Sequence, residues 1–228
     1  MKISKKALAL TMSAAVITSI AAGGTLAYLT GQDVSVNTFT IGKVKIDLKE
    51  SEVGEDGKII PGGRKVDNNE YSKILPGATI DKDPQVTVEE GSASCYVYMA
   101  VFSGLGYDDE DGTVVQFAEG SHDDDAWEWV TAVYPWEAPE ITIYRYVGSS
   151  AEDGIVTVGD EDVVLETLFE DGKMQISKEL DEEKWNKMYS DKILVKAFAV
   201  QAEGLEGGQD TADQMAEDYL GELTNWTF

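Results

Sequence analysis

Cysteine and histidine occur once each, as Cys95 and His122. A single cysteine permits no internal disulfide, so any stable domain must be held by its core. A single histidine, with no HExxH and no CxxC spacing, leaves out the usual ligand sets of catalytic zinc. Basic residues are scarce as well: 18 Lys and Arg stand against 43 Asp and Glu, a net charge of −25. Such a field repels DNA, RNA and anionic membrane surfaces, which excludes nucleic acid as a partner. The apolar run from Ala7 to Ala22 falls short of the roughly 20 residues a spanning helix requires.

That run follows Lys2, Lys5 and Lys6 and precedes Gly23 and Gly24. Thr25 and Ala27 put small residues three and one positions before a cut at Tyr28, the pattern of an export signal. Residues 1–27 are read as a cleaved signal peptide, with an uncleaved anchor as the alternative. The expectation is a secreted protein of the extracellular matrix or cell surface that meets the membrane only before cleavage. Removing three lysines and no acid moves the net charge from −25 to about −28. A solvated, aggregation-resistant exterior explains that acidity first, and cation binding second.

What is present in quantity is apolar alternation with a period of two. Hydrophobic residues make up 43% of the chain, enough for a core. Val44, Ile46 and Leu48 alternate with Lys43, Lys45, Asp47 and Lys49, which predicts a half-buried strand over 43–49. Val86 and Val88 follow. In SCYVYMAVF, residues 94–102, both parities are apolar, as in a strand covered on both faces, and Cys95 reads there as a small buried hydrophobe. Further strands are predicted at 114–117, 127–134, 141–147, 155–158, 163–169, 173–176 and 193–201, nine or ten in all. Glu-Asp-Gly recurs at 55–57, 110–112, 152–154 and 170–172, where Asp-Gly supplies the positive φ of tight turns.

Helix signals are fewer. Thr211 and Gln214 suggest a capping box, and Ala212, Met215, Ala216, Tyr219, Leu220 and Leu223 share a helical face, predicting a helix over 211–223. A weaker second candidate covers 178–189. Together these give an all-β fold, a jelly-roll-like antiparallel β-sandwich with one or two peripheral helices; periodicity leaves an immunoglobulin-like sandwich open.

The chemistry-bearing clusters are acidic or aromatic. Asp108, Asp109 and Asp111 in one loop, and Asp123 and Asp125 beside His122 in another, are weak calcium candidates, so calcium is the one cofactor left open against a plain solvated loop. An EF-hand is excluded, because setting Gly112 at its invariant glycine puts Tyr107 and Ala118 where acids are required. Trp127, Trp129, Tyr134, Trp136, Tyr144 and Tyr146 suit core packing, or stacking on sugars in a secreted binding module for a glycan or protein ligand. Forty-three acids offer too many pairs to argue for or against glycoside hydrolysis. LPGAT at 75–79 has the wrong order for a sortase signal, and neither an apolar segment nor a basic tail follows it.

Val34 and Val36 share one parity, Phe39 and Ile41 take the other, and Val44, Ile46 and Leu48 return to the first. A continuous strand in one sheet does not flip twice without bulges. The chain therefore divides into an arm at 28–41 and a sandwich domain at 42–228, with two outcomes open for the arm: addition to a neighbour, or folding back on its own domain.

Three segments carry a family resemblance: GGTLAYLTGQDVSVNTFTIGKVKIDL, ILPGATIDKDPQVTVEEGSASCYVYMAV and ILVKAFAVQAEGL. Gly23, Gly24, Thr25 and Ala27 match a signal site, Asn37, Thr38, Phe39 and Gly42 an N-T-F-x-x-G step, and Pro76, Gly77 and Val86 a later element. In these the chain resembles the TasA/camelysin family of secreted Gram-positive proteins; residues 103–190 match nothing specific. The resemblance implies a jelly-roll subunit of biofilm-matrix fibres, partnered with itself or related matrix proteins and released by an ER-type signal peptidase. It implies strand addition through the arm, with Val34, Val36, Phe39 and Ile41 as its apolar contacts, and no catalysis. The camelysin name also carries a metallopeptidase alternative.

Overall fold

Alternate residues of the longest apolar run enter two different cores. Cys95, Val97, Met99 and Val101 pack into one hydrophobic cluster, and Tyr96, Tyr98, Ala100 and Phe102 into a second. The strand covered on both faces is thus found. In the computed structural model the chain divides into one unit at 1–34 and another beginning at Ser35. The structure describes residues 38–69, 75–104, 106–108, 114–116, 118–119, 122–133, 140–179 and 193–222, all within the second unit.

The strands are β1 (Thr38–Ile41), β2 (Ile46–Ser51), β3 (Lys65–Val66), β4 (Thr79–Asp81), β5 (Gln85–Val88), β6 (Cys95–Ser103), β7 (Gly106–Asp108) and β8 (Val114–Gln116). They continue with β9 (Ala118–Glu119), β10 (Trp127–Val133), β11 (Ile141–Tyr146), β12 (Ala151–Glu152), β13 (Ile155–Val156), β14 (Val163–Val164), β15 (Lys173–Ile176) and β16 (Ile193–Gln201). One α-helix is described, α1 (Gly208–Leu220).

The larger sheet runs β1-β16-β6-β11-β10, with the β12–β13 hairpin attached to β6. A second sheet runs β14-β5-β2-β3. Val97, Met99, Val101 and Ala197 of the larger sheet share one core with Ile46, Leu48, Val86 and Val88 of the second. On the opposite face Tyr98, Phe102 and Phe198 pack with Ala212, Ala216 and Leu220 of α1. The result is an antiparallel β-sandwich with one helix laid on its outer face; β1 on β16 is the parallel exception.

Several expected boundaries move. The strand expected at 43–49 begins at Ile46, although Val44 is already buried. That expected at 163–169 shortens to Val163–Val164, because Leu165 N–H and Leu168 N–H turn to the carbonyls of Val86 and Pro84 as irregular backbone. The helix starts at Gly208 rather than at a Thr211 cap. Gly207 and Gly208, at φ 86° and 57°, turn the chain into the helix, while the Thr211 hydroxyl donates back to Glu206 O at 2.8 Å. Most of the 178–189 candidate lies outside the described residues.

Of the Glu-Asp-Gly turns, 152–154 joins β12 to β13 with Asp153 and Gly154 both at positive φ (52° and 75°), as a tight hairpin demands. Asp171 and Gly172 (53° and 62°) sit instead in a 3-10 turn leading into β15. Residues 110–112 lie outside the described residues.

Candidate functional site

The second flip of apolar parity, between Ile41 and Val44, has a structural counterpart at the start of the described residues. Strand β1 lies on β16 as an edge strand of the larger sheet, with Thr38 opposite Ala197 and Ile41 opposite Val200, whereas β2 belongs to the second sheet. The crossing is made at Gly42, whose φ of 93° suits glycine. A Cβ there would stand 2.6 Å from the Gln201 side-chain oxygen. That oxygen accepts from Lys43 N–H at 3.1 Å, and Lys43 O accepts from Ala93 N–H at 2.8 Å, so the crossing is held from both sides.

Of the arm residues, Phe39 and Ile41 therefore lie on a strand docked to their own chain, and Ile41 is 36% exposed. Val34 and Val36 lie outside the described residues, as do Thr25, Ala27 and Tyr28. Any free part of the arm is narrowed to residues before Thr38.

The described calcium candidates, Asp108, Asp123 and Asp125, are not brought together into a metal-holding group. Asp123 spends its Oδ1 on Asp125 N–H at 3.1 Å and its carbonyl on Ala126 and Trp127 N–H, so it closes a turn. Asp125 is exposed, Asp108 lies on β7, and Asp109 and Asp111 lie outside the described residues. His122 contacts Asp124 at 2.7 Å and packs its ring 4.7 Å from that of Tyr144. Among the described residues no group of three or more His, Cys, Asp or Glu is arranged to hold a metal ion.

The aromatic row divides by register. Trp127 is fully buried, with its Nε1–H donated to Glu166 O at 3.2 Å and its ring edge-on to Tyr146. Trp129 is 55% exposed. Tyr134 and Trp136 lie outside the described residues. Cys95 is fully buried and burial pushes its thiol up to about 12, which removes it as a nucleophile.

Two charged clusters were missed in the sequence. Arg145 on β11 is ion-paired with Glu128 and with Asp213 of α1. Glu50 and Lys82, 3% and 4% exposed, pair with each other, and Asn69 Nδ2 donates to the second Glu50 oxygen at 3.1 Å. A signal was present: Glu50 continues the inward parity of Val44, Ile46 and Leu48, and Lys82 lies between Ile80 and Val86 on theirs. A charge on an inward parity requires a partner.

Residues 2–72 match the family model described as camelysin metallo-endopeptidase, covering the signal-like start, the arm, β1, β2 and β3. No curated protein and no solved structure matches the chain.

Proposed function

With membership of the TasA/camelysin family supported by residues 2–72, we propose that this is a secreted structural protein whose subunits assemble head to tail into extracellular matrix fibres. Cleavage before Tyr28 frees an arm that adds as a strand to the next subunit. Such a contact propagates rather than closes. The observation that carries this reading is the placement of β1: the described domain starts with an edge strand, set apart from β2 by the Gly42 crossing. A segment that joins a domain at a sheet edge can extend away without disturbing either core.

Each backbone hydrogen bond of an added strand contributes about 0.5–1.5 kcal/mol net, so ten residues with Val34 and Val36 suffice for a firm contact. The test compares mature protein beginning at Tyr28 with protein beginning at Thr38. Electron microscopy should show filaments for the first and dispersed monomers for the second. Equal assembly by both removes the arm from the mechanism.

The family description favours one competing reading, a metallopeptidase. The residues do not fit a metal centre among those described, since His122 and Asp124 have no third donor. Casein cleavage by the purified protein that stops with chelator and returns with zinc would establish that reading instead.

A further inference from the structure

We propose that Lys82 and Asn69 form an intramolecular isopeptide bond, with Glu50 moving the proton. The three side chains converge in a way that a simple ion pair does not require. Lys82 Nζ contacts Glu50 Oε1, and Asn69 Nδ2 donates to Glu50 Oε2 at 3.1 Å, so one carboxylate bridges an amine and a primary amide. Glu50 and Lys82 are 3% and 4% exposed, which keeps water from competing.

The amide is also held and polarised. Asn69 Oδ1 accepts the Val53 N–H at 2.9 Å, and Nδ2 donates a second bond to Ser51 O at 2.8 Å. A backbone N–H aimed at the carbonyl oxygen is the donor that an addition intermediate needs. Lys82 is fixed from its own side, its N–H donating to Gly172 O at 2.7 Å. Nucleophile, electrophile and proton carrier thus come from the residue following β4, the bend after β3 and β2 respectively.

The step balances without an external reagent. As the step begins a proton passes from Nζ to the Glu50 carboxylate it contacts, which frees the amine lone pair. Nζ adds to Asn69 Cγ, and the negative charge on Oδ1 is met by Val53 N–H. Glu50 delivers its proton to Nδ2 and takes one from Nζ; the Cγ–Nδ2 bond breaks, and the leaving ammonia takes that last proton from Glu50 and departs as ammonium. One C–N bond forms, one breaks, nothing is oxidised, and Glu50 ends as it began. The function is a covalent tie between the β2–β3 edge of one sheet and the β4 segment, which resists pulling along a fibre and proteolysis outside the cell.

The experiment is intact mass measurement of the whole purified protein under denaturing conditions, followed by proteolytic mapping. The expected result is a chain lighter than its sequence by one ammonia, with a branched peptide joining Lys82 to Asn69. Glu50→Gln should keep the full mass and give linear peptides, with circular dichroism reporting that it folds. Should that variant not fold, Asn69→Asp supplies the second arm: its branched product must be lighter by one water instead. Linear peptides only from the natural protein overturn the proposal. So does an ammonia loss confined to one unbranched peptide, or a branch from Lys82 to Glu50.

Discussion

Arg145 Nη1 donates to both carboxylate oxygens of Asp213, at 2.7 and 2.6 Å, and so fastens α1 to β11. The Tyr98 hydroxyl donates to the same carboxylate at 2.8 Å, which brings β6 into the contact. The Arg145 side chain is 7% exposed and that of Asp213 24%. Removing the acid would leave a nearly buried guanidinium with Glu128 as its remaining charged partner here, so Asp213→Ala should lower stability by about 3 kcal/mol. A urea titration followed by tryptophan fluorescence measures it. Asp213→Asn, which keeps an acceptor for Tyr98, should lose less.

Lys196 gives a pH dependence of definite sign. It is 4% exposed on β16, and burial pulls its ammonium from 10.5 down to about 8. Between those values the unfolded chain holds the proton and the folded chain has released it, so the unfolded state binds more protons and stability rises with pH. Below about 8 both states are charged and the full desolvation cost is present. Lys196→Met should therefore be more stable at neutral pH and should lose that alkaline rise. The difference between natural and variant proteins, by thermal denaturation at stepped pH, removes the common contribution of the tyrosines.

Cys95 should be silent to a thiol-specific reagent in the folded protein and react fully in denaturant. Its thiol is wholly buried, and burial raises it to about 12, so little thiolate exists at neutral pH and none is accessible. The labelling rate then reports global opening of the core around β6. Fast labelling without denaturant would mean that the larger sheet opens locally.

How much of this was legible follows from which interactions are local. The strands β6, β15 and β16 could be read directly, since an alternating or doubly apolar run and its buried faces are properties of neighbouring residues. The apolar face of α1 was readable for the same reason, but its start was not. Gly207 and Gly208 begin the helix through backbone conformation, and glycine advertises no side-chain cap. β14 was overread because Leu165, Leu168 and Phe169 are buried from irregular backbone. The Arg145–Asp213 and Glu50–Lys82 contacts join residues 68 and 32 positions apart, so only the odd placement of a charge on an inward parity hinted at them. Likewise, the parity flips separated arm from strand, but nothing in that pattern specified parallel pairing with β16.

Gly42 tests whether the crossing between sheets controls the arm. Two costs coincide there: a φ of 93°, which side chains rarely adopt, and a Cβ position 2.6 Å from Gln201 Oε1 and 2.7 Å from Gln201 Cβ. Gly42→Ala should cost about 2 kcal/mol from the backbone strain alone, and displacing Gln201 would also remove the acceptor of Lys43 N–H. Because β1 is an edge strand held mainly by β16, the damage should appear as faster hydrogen–deuterium exchange over residues 38–43 and 197–201, with β6 and β11 unchanged. Adding Gln201→Gly removes both crowding atoms, the side-chain oxygen and the Cβ, but leaves the strain, so the double variant should recover only part of the loss. Full recovery would assign the effect to crowding, and no recovery to backbone conformation. If β1 detaches in Gly42→Ala while the sandwich stays folded, filament formation measured beside it shows whether assembly depends on β1 being docked.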